Sequence, residues 1–241
     1  MQSLASPVIL IRKLVVERGQ HRVIHELDLS VPAGSVYALL GGNGAGKTTT
    51  LNTLLGFIQP VSGVVTINGV DALASGAQRP NLAYLPENVA LYPYMSGLEN
   101  LRYFCLLAGI NPSKQEANAL LLELGLDAQF HGKRVETYSK GMRQKVGLAI
   151  AHARQASAML LDEPTSGLDP GAANDFAQRI KAASASGMAI LMATHDLFNA
   201  KQVADRIGIM KEGRLVEEFE AHTVDHDELE QKYLAHTRGI A

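Results

Sequence analysis

The sequence predicts an α/β fold with a helical insertion, and three observations carry that reading. Short apolar runs with β-branched residues alternate with helical stretches. A glycine-rich segment, GGNGAGKTT at 41–49, lies between such a run and a helix. From Ser96 to Ala153 the alternation stops and the pattern turns mostly helical.

Residues 8–11 (VILI) and 36–40 (VYALL) read as strands, being short apolar runs of the right composition. Thr48 to Phe57 reads as a helix leaving the glycine-rich turn. Residues 64–69 (VVTING) read as a strand closed by an Asn-Gly turn. Residues 82–86 (LAYLP) form another strand, which Pro86 stops. Three helical stretches follow: SGLENLRYFCLLAG, SKQEANALLLELG and SKGMRQKVGLAIAHA. Ser96 and Glu99 have the spacing of a capping box at the start of the first. Strands return at 158–162 (AMLLD), 189–194 (AILMAT) and 206–211 (RIGIMK). The tail from Glu217 is charged and reads as helical near HDELEQKYLAH. No repeat, low-complexity tract or linker divides the chain, so one domain over 1–241 is expected, with a helical subdomain at about 96–153.

Composition sets bounds. The chain has 241 residues, 46% hydrophobic and 19% charged, enough for one large core. A net charge of −2 leaves no electrostatic footprint for nucleic acid. The one cysteine, Cys105, excludes an internal disulfide, fits a reducing compartment and reads as a core hydrophobe. No apolar run approaches the roughly 18 residues of a membrane span. Residues 1–13 lack a basic start followed by a long apolar region, so a signal peptide is not expected. A membrane role would therefore require a partner.

GGNGAGKTT has the spacing G-x-x-x-x-G-K-[ST], with Gly41, Gly46, Lys47 and Thr48 in the defining positions. The glycines let successive N–H groups turn inward on phosphates, and the following helix adds its positive end. Lys47 is placed for the β- and γ-phosphates and the Thr48 hydroxyl for Mg²⁺. The acidic pair in AMLLDEPTSGLD could complete the site, Asp162 through the metal's water and Glu163 by polarising an attacking water. Taken alone, the pair could equally cap a strand. TYSKGMRQK (137–145) combines hydroxyls, small residues and cations that suit an anion, yet lacks the spacing of a phosphate loop. Without its context it is a basic helix start.

In this order, these segments resemble the ATPase subunits of ABC transporters. The match runs from about Val8 to Val216. It takes in the phosphate loop, the signature at 138–142, the strand with its glutamate at 158–163, SGLD at 166–169, and the switch histidine His195 in THD. The resemblance implies a P-loop NTPase core with an antiparallel β subdomain and a helical subdomain insertion. It implies ATP and Mg²⁺ as ligands, with Asn43, Gly44 and Thr49 joining the phosphate cradle and Asp169 the nucleotide interface. It makes Glu163 and His195 catalytic and assigns Thr48, Asp162 and Glu87 to the metal. Two copies would pack head to tail, with Ser139, Gly141 and the helix after them gripping the partner's γ-phosphate. The other seven histidines carry no functional reading, and HTVDHDE (222–228) is too weak a pattern for a metal site.

Three positions depart from the family pattern. Lys140 stands where a glycine is usual, and is expected to face solvent. Glu87 in YLPENV stands at the Q-loop position. Arg18 stands where an aromatic usually stacks on adenine, a task a guanidinium can take over. YLPEN, TYSKGMRQK and LLDEPTSGLDP resemble exporter-class ATPases that serve a separate six-span permease. Among these the resemblance is greatest to the ATPase of the Nos system, which serves copper-site assembly of nitrous-oxide reductase. The implied partners are the permease, through its coupling helix around 87–97, a second ATPase copy and an extracytoplasmic accessory protein, with no nucleic acid. The implied location is the cytoplasmic face of the inner membrane. Exporters of lipid, peptide or drug are the alternative. A soluble ABC protein would need a second cassette or a long coiled coil, and a GTPase would need an evident N-K-x-D.

Overall fold

The computed structural model describes residues 7–74 and 81–237. The opening residues 1–6, part of the signal-peptide reading, lie outside the described residues, as do 238–241.

Two sheets organise the chain. The first has strands β1 (Ile9–Arg18), β2 (His21–Val31), β4 (Ser62–Ile67) and β5 (Val70–Asp71), all antiparallel, in the order β2-β1-β4-β5. The second contains β3 (Val36–Leu40), β6 (Leu82–Leu85), β7 (Ala158–Asp162), β8 (Ala189–Thr194), β9 (Arg206–Lys211) and β10 (Arg214–Glu220). Its order is β10-β9-β3-β8-β7-β6, parallel except for β10. Strands β3, β7 and β8 are buried at every residue, as a sheet covered on both faces requires.

The strands read from sequence at 36–40, 158–162, 189–194 and 206–211 have those bounds. Others differ. The strand expected at 8–11 continues to Arg18, past an irregularity where Lys13 has φ 45°. Glu217 to Glu220, where the charged tail begins, belong to β10, a strand that the sequence reading does not include. This segment alternates between half-buried and exposed residues, and a turn with Glu212 and Gly213 at φ 47° and 73° folds it back on β9. Its carboxylates are answered from elsewhere: Glu217 by Lys232 and His236, and Glu218 by Arg206 at 3.0 Å. The expected tail helix is present as α8 (His226–Thr237).

Three apolar clusters hold these layers. One joins the antiparallel sheet to the near face of the parallel sheet and helix α1 (Lys47–Leu54). A second packs the other face against α6 (Pro170–Ala185), α7 (Leu197–Val203) and α8. The third is built by α2 (Gly97–Leu107), α3 (Lys114–Glu123) and α5 (Lys140–Ala153), with Cys105 fully buried in it. Short α4 (Ala128–His131) closes that group. Ser96 and Glu99 form the capping box of α2, and the Ser96 N–H holds the Glu99 carboxyl below the usual range. A second box, Ser113 with Glu116, starts α3.

Strand order positions the site. β8 lies between β3 and β7, so three parallel strands deliver their carboxyl ends side by side. Ligands in open α/β sheets bind at that edge.

Candidate functional site

The chain leaves β3 through Gly41, whose N–H donates to Thr194 O at 3.2 Å. A Cβ at Gly41 would come within 2.6 Å of Met210 O, so only glycine fits there. Gly44 and Gly46 have φ 79° and 111°, which curl the loop before α1. The cleft above it, about 460 Å³, is lined by Asn43, Gly44, Gly46, Lys47, Thr48 and Thr49, and by Arg18, Glu87, Asp162 and Glu163 from elsewhere.

Lys47 is 6% exposed. Its Nζ donates to Gly41 O at 2.6 Å and Gly42 O at 3.3 Å and lies 3.4 Å from Glu163 Oε1. Thr48 Oγ1 donates to Asp162 Oδ1 at 3.4 Å. Burial pushes the Asp162 carboxyl above its ordinary range, the Thr48 hydrogen bond acting against this. A carboxylate and a hydroxyl meeting at a cleft floor are hard oxygen donors of the kind Mg²⁺ takes. Among the described residues no three His, Cys, Asp or Glu side chains form a metal cluster. Mg²⁺ commonly draws its remaining ligands from phosphate and water, so the donor set fits that ion.

Glu163 is the most constrained residue of the site. It follows β7 with φ 44°, a left-handed conformation costing a non-glycine residue about 1–2 kcal/mol. Its N–H donates to Ala193 O at 2.9 Å. Its Oε2 accepts from Thr194 Oγ1 at 3.1 Å and His195 N at 3.3 Å, and lies 2.8 Å from His195 Nδ1. The β7–β8 register, with Asp162 opposite Ala193, makes Glu163 and His195 meet. Thr194 escaped sequence reasoning, its hydroxyl being hidden at the end of an apolar strand.

The predicted anion readers separate into two places. Ser139 caps α5 by accepting from Met142 N at 3.2 Å. With Gly141 it lines a different depression, beside Met142, Lys145, Ala172 and Arg179. Asp169 caps α6, accepting from Ala172 N at 2.9 Å.

Of the three departures, Arg18 ends β1 opposite His21 and lines the cleft. Lys140 does not face solvent as expected. Its side chain is 20% exposed, donates to Ser166 O at 2.6 Å and lies 3.7 Å from Glu87 Oε1. Glu87 Oε1 also accepts from Ser166 Oγ at 3.1 Å. An acceptor from one loop and a carboxylate from another outweigh hydration of this ammonium, and neither is near it in sequence.

The family model described as ABC transporter matches residues 24–166. An uncharacterized ABC transporter ATP-binding protein of Bacillus subtilis, YdbJ, is 36% identical over 229 residues, covering 92% of this chain and 72% of the relative. The Nod factor export ATP-binding protein I of Burkholderia orbicola is 36% identical over 216 residues, covering 88% of this chain and 70% of the relative. A solved ATP-binding subunit of an ABC transporter superimposes with TM-score 0.81 at 30% identity, covering 94% of this chain and 99% of that one. A dimeric cassette bound to ADP and Pi shares the fold, with TM-score 0.76 at 22% identity, covering 88% of this chain and 98% of that one.

Proposed function

The chain belongs to the ABC transporter family as an ATP-binding ATPase domain, and from that premise we propose that two copies close head to tail on two ATP to drive a separate permease. The separation of the two anion readers carries this reading. Lys47 lines one cleft and Ser139 another depression, so a signature serving phosphate would serve a second copy's nucleotide.

Lys47 exchanges Glu163 for the β- and γ-phosphates, and the loop N–H groups take the remaining oxygens. Thr48 and Asp162 would hold Mg²⁺, with Glu87 at the rim. When bound, that ion neutralises charge on the phosphates. Glu163, freed from Lys47, accepts a proton from the attacking water. Thr194 and His195 fix the carboxylate through Oε2, leaving Oε1 for the water. Arg18 covers the purine.

Among the described residues no helix is long and apolar enough to cross a membrane. The reading assigns the transport step to a permease docking on 87–97, where Tyr92 and Tyr94 are 47% and 76% exposed. Aromatic side chains on an exposed loop suit a partner's coupling helix. In this reading the subunit sits peripherally at the membrane, on the cytoplasmic face of the inner membrane. The relative named for Nod factor export supports the exporter reading. For cargo we take the Nos-type reading, supported by YLPEN, TYSKGMRQK and LLDEPTSGLDP. Deleting the gene should then leave nitrous-oxide reductase deficient in copper, and a fully metallated reductase would reject the cargo.

The in-trans reading is tested by two substitutions in the isolated subunit and the reconstituted complex. Lys47→Ala should abolish nucleotide binding. Ser139→Arg should leave monomer binding near normal while the dimer fails to close. Loss of monomer binding in Ser139→Arg would overturn the reading.

A further inference from the structure

The two acidic and basic departures, Glu87 and Lys140, meet in space. They lie 53 residues apart in sequence, yet Lys140 Nζ is 3.7 Å from Glu87 Oε1. Ser166 completes a ring: its carbonyl accepts from Lys140 at 2.6 Å and its hydroxyl donates to Glu87 at 3.1 Å. The ring joins three segments: the loop after β6, the first residue of α5 and the loop after β7.

Two costs explain why these residues occur together. Glu87 adds a third carboxylate to a cleft already lined by Asp162 and Glu163, against the two cations Lys47 and Arg18. A polyanionic ligand there meets repulsion from each unneutralised carboxylate. Lys140 is the first residue of α5, where the positive end of the helix disfavours a cation. Pairing relieves both. Resting on the proposed function above, we propose that Lys140 is a positioning residue that acts in cis. It neutralises Glu87 of its own chain and, through Ser166, fixes the signature helix to the rim of that chain's nucleotide cleft. Signature position and charge at the chain's own ATP site are thereby linked within one subunit. Lys140 does not reach the partner's phosphate.

The test measures ATP binding by the isolated subunit at concentrations too low for dimers, by equilibrium dialysis with Mg–ATP. Lys140→Met should weaken binding roughly three- to tenfold, as expected for an uncompensated carboxylate near a polyanion in a half-exposed site. Lys140→Arg should retain near-normal binding. Glu87→Gln added to Lys140→Met should restore binding to about the level of Glu87→Gln alone, the non-additivity expected of directly coupled residues. This rescue also separates lost charge compensation from misfolding. Unchanged monomer binding in Lys140→Met, or an equal loss with glutamate or glutamine at 87, would overturn the proposal. In either case wild-type binding that is lost in Lys47→Ala leaves the nucleotide reading standing. A wild-type subunit that binds no ATP would overturn both.

Discussion

Replacing Glu163 by glutamine keeps the shape of the side chain and removes its ability to take a proton. The structure limits what else should change. Glutamine can still accept from Thr194 and from His195 N, which contact Oε2 at 3.1 and 3.3 Å. The left-handed backbone at φ 44° costs either residue about the same, so stability should be nearly constant. Lys47 loses the charge of a half-buried partner at 3.4 Å while retaining the carbonyls of Gly41 and Gly42. ATP should therefore bind at least as tightly as to the wild type. The chemical step loses its base, worth about 10²–10⁴ in rate, or about 2.7–5.4 kcal/mol of barrier. The assay is steady-state ATP hydrolysis by the reconstituted complex at saturating Mg–ATP, with thermal melting as the control for folding. Light scattering should find an ATP-loaded dimer that persists. A well-folded Glu163→Gln protein with turnover within about tenfold of wild type would refute the assignment of the base.

The purine platform at Arg18 should discriminate poorly, so ATP and GTP should support similar rates; strong ATP preference unchanged in Arg18→Ala would reject that role. Asn100, fully buried, pins the permease-facing loop, accepting from Tyr92 N at 2.8 Å and donating to Tyr92 O, Met95 O and Ser96 O. Asn100→Ala should cost about 1–3 kcal/mol in urea unfolding and weaken permease association; a wild-type unfolding midpoint would reject this account. The Lys232 ammonium, hydrogen-bonded to Glu217, holds that carboxyl below its usual range of 4.5 against an opposing push from burial. Because the folded value is lowered, the stabilisation is present above the unfolded value and lost as pH falls through the folded one. Wild type should thus exceed Glu217→Gln in urea stability at neutral pH and converge with it in acid, and a pH-independent gap would contradict the linkage.

What the sequence could determine by itself is whatever depends on neighbours along the chain. Fully buried strands such as 189–194 are continuous apolar runs, so their identity and limits show in composition. The phosphate loop is a local object: its glycines, lysine and threonine act through backbone turns and one helix end, and so appear at fixed spacing. The Ser96–Glu99 capping box is local for the same reason. Tertiary structure decided the rest, because the deciding partners are distant in sequence. Nothing local marks Arg214–Glu220 as a strand; pairing with β9 and the cations Lys232, His236 and Arg206 hold it there. Thr194 and His195 reach Glu163 only because β8 is the parallel neighbour of β7. Lys140 has no local partner that would hold an ammonium out of water. The carboxylate and carbonyl that do so come from residues 87 and 166, and only the packing of three segments brings them within reach.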